Sequence, residues 1–139
     1  MFKIQYKAGF VPYQLSNDAP IFMFMIPSDP KFGGDQPQIA KGMIDEGEEE
    51  FTSAFREAEE ELGLRRSNII PHTIKHVTTD IKGSVSMAIY MGQVKNLKDF
   101  DPPHYETGSV HWLTLDQFRK IGKPSHLHIV EAIHGLLTK

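Results

Sequence analysis

The chain has 139 residues, with 18 Asp and Glu against 15 Lys and Arg, 40% hydrophobic residues, one Trp and no Cys. That length suits one domain around one core, and the lack of Cys excludes disulfide staples, thiol catalysis and Cys-ligated zinc. A net charge of −3 argues against broad binding of nucleic acid, and no apolar run outlasts Ile21 to Ile26, too short to cross a bilayer. The N-terminal MFKIQYK interleaves Lys with apolar residues instead of opening a signal segment. The expectation is a single domain over 1–139, cytoplasmic, with no membrane or nucleic-acid partner.

Residues Phe2 to Leu15 alternate in part and end at the turn cluster Asn17-Asp18-Ala19-Pro20, and Ile21 to Ile26 reads as a strand buried on both faces. Together they predict a hairpin. Three Pro and the Gly33-Gly34 pair make Pro27 to Pro37 a loop. From Glu48 to Leu62 the apolar residues Phe51, Ala54, Phe55, Ala58 and Leu62 form one helical stripe, with Gly63 placed to cap it. Glu48, Glu49 and Glu50 fall in its expected first turn, where acids complement the helix dipole. Two strands, Ile69 to Ile81 and Val85 to Val94, flank a turn at Lys82-Gly83. Val110 to Leu113 is a short strand, and Thr114-Leu-Asp-Gln117 has the spacing of a capping box opening a helix to about Ile121. A last helix, Ser125 to Leu137, is expected to bury Leu127, Val130, Ile133 and Leu137. Interleaved strands and helices without repeats or linkers imply one α/β or α+β domain.

Chemistry concentrates on the central helix. Glu57, Glu60 and Glu61 stand at i, i+3 and i+4, so three like charges share one face and each pair costs an isolated helix roughly 0.2–0.5 kcal/mol. Either the face is merely solvated or a cation neutralises it. All-oxygen donors select a hard cation, magnesium or manganese, which is held by few carboxylates and shared with substrate phosphates.

The longer spacing decides between these. Gly42, five residues, Glu48, seven residues, then Arg56-Glu57-Ala58-x-Glu60-Glu61-x-Gly63-Leu64 resembles the Nudix hydrolase box at every defining position. The resemblance implies the Nudix α/β/α sandwich, a mixed β-sheet between helices. It also implies hydrolysis of a nucleoside diphosphate linked to another moiety, with Mg²⁺ or Mn²⁺ as cofactor and a small-molecule nucleotide as partner. Many relatives in the superfamily dimerise, which leaves a homodimer open. Carried over by position, Glu60 and Glu61 are metal ligands, the Gly42 carbonyl adds another, and Glu57 is either a further ligand or the base for the attacking water. Arg56 would orient a carboxylate from behind, and Glu48 would cap the helix or pair with Arg56. Asp45 and Glu46 read as turn residues.

Outside the box, Glu106, six residues before Trp112, is placed like the carboxylate that completes the metal shell in diadenosine tetraphosphate hydrolases. The Lys41-Gly42 junction looks like that of Nudix enzymes acting on dinucleoside polyphosphates and diphosphoinositol phosphates, so Lys41 would reach a phosphate. The Pro that usually precedes it is Ala40 here, and neither the Tyr marker of diadenosine polyphosphate hydrolases nor the Pro marker of ADP-ribose enzymes is present. Phe32, His104 and Tyr105 lie in loops where a ring stacks on a base, Phe32 having packing beneath its loop as the plainer alternative. Lys3, Gln5 and Lys7 alternate on the first strand, lining either the substrate side of the sheet or a solvated face. His126 and His128, two apart on a helix, make a poor metal pair. A dinucleoside polyphosphate is the expected substrate, followed by ADP-ribose or a nucleotide sugar, then a (deoxy)nucleoside triphosphate. A non-catalytic nucleotide sensor comes last, since every box acid is present.

Overall fold

The computed structural model describes residues 4–16, 19–98, 100–103 and 106–138. The opening hairpin forms as the alternation predicts, from β1 (Gln5–Ser16) and β2 (Ala19–Pro27), registered Tyr13↔Phe22. Phe22 to Met25 are all buried, as expected of a strand covered on both faces. A strand absent from the sequence reading follows, β3 (Ala40–Met43), because four residues containing Lys41 and Gly42 carry no period-two signal. After it come α1 (Glu50–Leu62), β4 (Lys75–Lys82), β5 (Val85–Gln93), β6 (Thr107–Thr114), α2 (Leu115–Ile121) and α3 (Leu127–Leu137).

Several boundaries move for local reasons. The helix α1 starts at Glu50, with Glu49 in extended backbone as its N-cap, so Glu50 alone is an acid of its first turn. Its far end is as expected: Gly63 takes the left-handed conformation, φ 74°, and its N–H closes on Ala58 and Glu59 carbonyls. The strand expected from Ile69 begins only at Lys75, because Pro71 opens a 3-10 turn, Pro71–Thr73, and has no N–H for a ladder. The capping box of α2 is complete: the Gln117 amide donates to Thr114 Oγ1 at 3.2 Å, and the Thr114 amide donates to Gln117 Oε1 at 2.8 Å. Residues 124–126 form a 3-10 turn, so α3 starts at Leu127. That start puts Ile129 in the core with Val130 and Ile133, and leaves Leu127 and Leu137 half-buried at its edge.

The sheet runs β4-β5-β1-β2-β6, with β3 also paired to β1. It is mixed, since β1 and β5 are parallel and the other pairs antiparallel. On one face α1 lays Ala54, Phe55, Ala58 and Leu62 over Ala8, Phe10, Met23 and Ala40. On the other, Phe118 of α2 and Ile129, Val130 and Ile133 of α3 meet Val11, Phe22, Phe24 and Ile89. The α/β/α sandwich implied by the motif is therefore the fold. Where β1 passes from pairing with β3 (Lys7↔Met43 to Phe10↔Ala40) to pairing with β2, the sheet forks, and the segment just before β3 meets β2 at the bridge Met25↔Gln38. The functional residues gather around that fork.

Candidate functional site

Gly42 and Glu57 are fitted to each other. A Cβ at Gly42 would run into all three atoms of the Glu57 carboxyl group, so only glycine lets this carboxylate lie against the β3 backbone. Glu57 is buried, at 7% exposure. Burial raises its pKa, Glu60 and Glu106 add repulsion, and Arg56 opposes both. Desolvation, and not crowding by like charges, is the larger cause of that rise. One turn later Glu61, also buried, accepts the Lys41 amide hydrogen at 2.7 Å. Desolvation pushes its pKa up to about 8, with that hydrogen bond pulling down and Glu57 and Glu106 pushing up. Glu60 is half-exposed on the same face of the helix.

A single guanidinium serves this helix. Arg56 holds Glu48 with two hydrogen bonds, Nε to Oε2 at 3.0 Å and NH2 to Oε1 at 3.1 Å, and its NH1 donates to Glu57 at 3.0 Å and Glu60 at 3.2 Å. Its NH2 also donates to the Met43 carbonyl at 3.1 Å and lies 3.4 Å from Asp45. The paired guanidinium draws the Glu48 pKa down to about 2. Glu48 thus takes the Arg56 pairing of its two expected roles; it does not cap α1, but accepts the Asp45 amide at 3.2 Å and closes the turn before it. Because one cation is divided among Asp45, Glu48, Glu57 and Glu60, the acid end keeps surplus negative charge. Among the described residues, no three His, Asp or Glu side chains are grouped closely enough to hold a metal ion alone. A hard cation that keeps waters and accepts substrate phosphates fits this donor set, since it needs only one or two of the carboxylates.

Beside the acids opens a cavity of about 640 Å³, lined among others by Glu61, Glu106, Lys7, Lys41 and Phe32. Glu106 joins Glu61 on this wall, although its loop is far from α1 in sequence. Lys41, whose amide holds Glu61, lines the same cavity; burial lowers its pKa, Lys123 and Lys7 lower it further, and Glu61 and Glu57 oppose. Phe32 is 80% exposed at the cavity, so of its two readings the packing alternative does not hold. The loop underneath is tied down by other groups. Asp29 accepts the Lys31 amide at 3.0 Å, and Gln38 Nε2 and Lys123 Nζ both donate to the Gly33 carbonyl, at 2.9 and 3.3 Å. The ring is left free on an anchored turn.

Lys7 lines the cavity, so of the two readings of the β1 polar face the substrate-side one fits it. Lys3, His104 and Tyr105 lie outside the described residues. His126 and His128 diverge as expected: His126 Nδ1 accepts the Ile39 amide inside the core, and His128 pairs with Asp80 at 3.3 Å. Sequence reasoning missed Asp29, Gln38 and Lys123, which brace the Phe32 turn from three separate segments and leave no local pattern. No helix among the described residues is long and apolar enough to cross a membrane.

A family model, the NUDIX domain, matches residues 15–133. The chain superposes on an Ap4A hydrolase binary complex of C. elegans with a TM-score of 0.76 and 22% identity, covering 96% of this chain and 98% of the other. On the NUDIX domain of Shewanella oneidensis NrtR complexed with ADP ribose, the TM-score is 0.79 at 16% identity, with 99% and 91% covered. No curated protein sequence gives a match.

Proposed function

The chain belongs to the Nudix hydrolase family, and on that premise we propose that it cleaves a phosphoanhydride in a nucleoside diphosphate linked to a further group, foremost a dinucleoside polyphosphate. The observation that carries this reading is a cavity lined by the carboxylates Glu61 and Glu106, the lysines Lys7 and Lys41 and the exposed ring of Phe32. An anionic chain with a base at its end matches all three. The likeness to an Ap4A hydrolase supports a polyphosphate bridge. A diphosphate bridge, as in ADP-ribose or a nucleotide sugar, is the second reading, favoured by the likeness to a domain complexed with ADP ribose.

Nudix hydrolases generally use divalent metal ions. Here Glu57, Glu60, Glu61, Glu106 and the Gly42 carbonyl are the proposed donors for Mg²⁺ or Mn²⁺. Such an ion, when bound, offsets the negative charge of the anhydride oxygens and of the leaving phosphate. The residues do the rest. Glu61 is held in place by the Lys41 amide, and Arg56 fixes Glu57 and Glu60 through one nitrogen, so the carboxylates are oriented before substrate arrives. Glu57, buried and with raised proton affinity, is suited to take a proton from the attacking water if it does not serve as a ligand. Lys41 meets a phosphate as a point charge and Phe32 stacks on a base.

The test is nucleotide and phosphate release in Mg²⁺ from diadenosine tetraphosphate, diadenosine triphosphate, ADP-ribose, FAD, dGTP and oxidised dGTP. Highest turnover on a dinucleoside polyphosphate is the expected result. Preference for ADP-ribose installs the second reading, and silence from folded, magnesium-binding protein replaces both with nucleotide binding without catalysis. The two roles of Glu57 separate in Glu57→Gln: a lost ligand weakens magnesium binding, and a lost base lowers kcat with magnesium binding retained.

A further inference from the structure

Gln38 has only half of its amide accounted for. The side chain braces the Phe32 turn, is 2% exposed and lines the large cavity. Its Nε2 donates to the Gly33 carbonyl at 2.9 Å and to the Gln36 carbonyl at 3.1 Å. Both neighbours are acceptors, so the nitrogen faces them and the direction of the amide is fixed. Its two hydrogens are thereby committed, and the group has nothing left to donate. At the other end, no group among the described residues donates to Oε1. Every fully enclosed side-chain oxygen and nitrogen among the described residues has a partner, so Oε1, which lacks one, is reached from the cavity that the side chain lines.

The acceptor is in place before any ligand arrives. The Gln38 backbone is bonded to Met25 of β2 in both directions, at 2.9 and 3.0 Å, so the sheet holds the residue from below. Gly33 makes room for the oxygen: a Cβ there would stand 2.7 Å from Oε1, and its φ of 127° is one that glycine adopts without strain. A nearly buried carbonyl without a donor carries a standing cost, which an N–H from a ligand removes. Phe32 directly precedes Gly33, so one braced turn carries both an exposed ring and an open acceptor. A ring takes the face of any base and does not tell bases apart. An acceptor with no donor beside it does, because a base edge with an amino group is paired there and one with a carbonyl is repelled.

We propose that Gln38 Oε1 reads the nucleobase by accepting a hydrogen bond from an exocyclic amino group, so that the cavity selects an amino-bearing base such as adenine over hypoxanthine, which has a carbonyl in that place. The proposal rests on the hydrolase reading only for a nucleotide being the occupant of the cavity. Its test is the binding of ADP and of IDP, measured by calorimetry in EDTA so that no metal-dependent turnover intervenes. The two ligands share phosphates, sugar and ring size, and wild type is expected to bind ADP about tenfold more tightly. In Gln38→Leu that ratio is expected to fall to about one, mainly through weaker binding of ADP. A residue that only braces the turn predicts a different result: both nucleotides weaken alike and their ratio stays as in wild type. Melting curves without ligand check the fold. Gly33→Ala, whose Cβ displaces Oε1 while leaving the Gln38 strand pairing untouched, is the second variant and should lower the ratio in the same way. Equal affinities for ADP and IDP in wild type, or a wild-type ratio in either folded variant, overturn the proposal. Discrimination lost with Gln38, in a protein that hydrolyses neither a dinucleoside polyphosphate nor ADP-ribose, keeps the base reading and removes the hydrolase one.

Discussion

The acid wall, which meets the cavity at Glu61 and Glu106, and the lysine wall, which meets it at Lys7 and Lys41, are built in opposite ways. The acid wall comes almost entirely from one helix, where Glu57, Glu60 and Glu61 are fixed relative to one another by the helical repeat and to β3 by Gly42. The lysine wall is assembled from β1, β3, β4 and the turn after α2, and no two of Lys7, Lys41, Lys82 and Lys123 are closer than 34 residues in sequence. The acid wall carries its own partial neutraliser in Arg56, whereas among the described residues no ion pair engages Lys7, Lys41, Lys82 or Lys123. Chemistry that needs fixed spacing is thus placed on one rigid element, and recognition is distributed over the sheet, where each strand can vary alone.

Changes at the acid wall should be the most severe. Glu60→Gln and Glu61→Gln are each expected to lower kcat by about 10² or more. The fold should survive, because Glu60 is half-exposed and the Glu61 carboxyl, with its pKa near about 8, is mostly protonated at neutral pH in metal-free protein, a state glutamine imitates. Steady-state rates beside melting curves give the answer; activity within a few fold of wild type in both variants removes the metal assignment. Arg56→Lys tests whether these acids need external orientation. Lysine cannot hold Glu48 with two parallel bonds and still reach Glu57 and Glu60, so kcat and magnesium affinity should fall about 10- to 100-fold. Equal magnesium affinity in that variant would show the guanidinium to be structural only.

That asymmetry also set what could be read in the sequence. The box, α1 and its Gly63 cap were legible because helical spacing translates directly into shared faces. The capping box of α2 was legible for the same reason. Residues of β3 were not, since its existence depends on pairing with Lys7 to Phe10, 30 to 36 residues earlier. The exposure of Phe32 could not be read, because burial of a loop aromatic depends on what lies beneath it, and here Asp29, Gln38 and Lys123 brace the turn without the ring. Glu106 could be matched to the motif by its distance from Trp112, and its place beside Glu61 is a consequence of the chain returning through β6.

The lysine end has its own pH signature, through His126. Burial, followed by Lys41, Lys123 and His128, lowers its pKa from 6.5 to about 3. Between these values the unfolded chain binds a proton that the folded chain refuses, so stability is full above pH 6.5 and is lost as pH falls toward about 3. The slope contributed by one such group is at most about 1.4 kcal/mol per pH unit. In His126→Gln the protein should be less stable at pH 7, by about 1 kcal/mol for the disturbed Ile39 hydrogen bond, yet lose stability less steeply on acidification. Urea midpoints from pH 7 to pH 4 for both proteins give the comparison, and parallel curves would mean that the ring is not held neutral.

The smallest effect belongs to the rim between the two walls. Phe32 is 80% exposed, so Phe32→Ala removes almost no packing, and the melting temperature should stay where it is. Stacking of a base on an aromatic ring is worth about 1–3 kcal/mol, and a ring open to solvent on one side belongs at the lower limit. The expected result is a KM raised about fivefold on a dinucleoside or mononucleoside substrate, with kcat held, since the ring carries no group that acts on phosphorus. Tripolyphosphate has no base and should bind the variant as it binds wild type. A loss of tripolyphosphate affinity in Phe32→Ala would mean that the anchored turn shapes the lysine wall, and a KM unchanged on nucleotides would place base recognition elsewhere in the cavity.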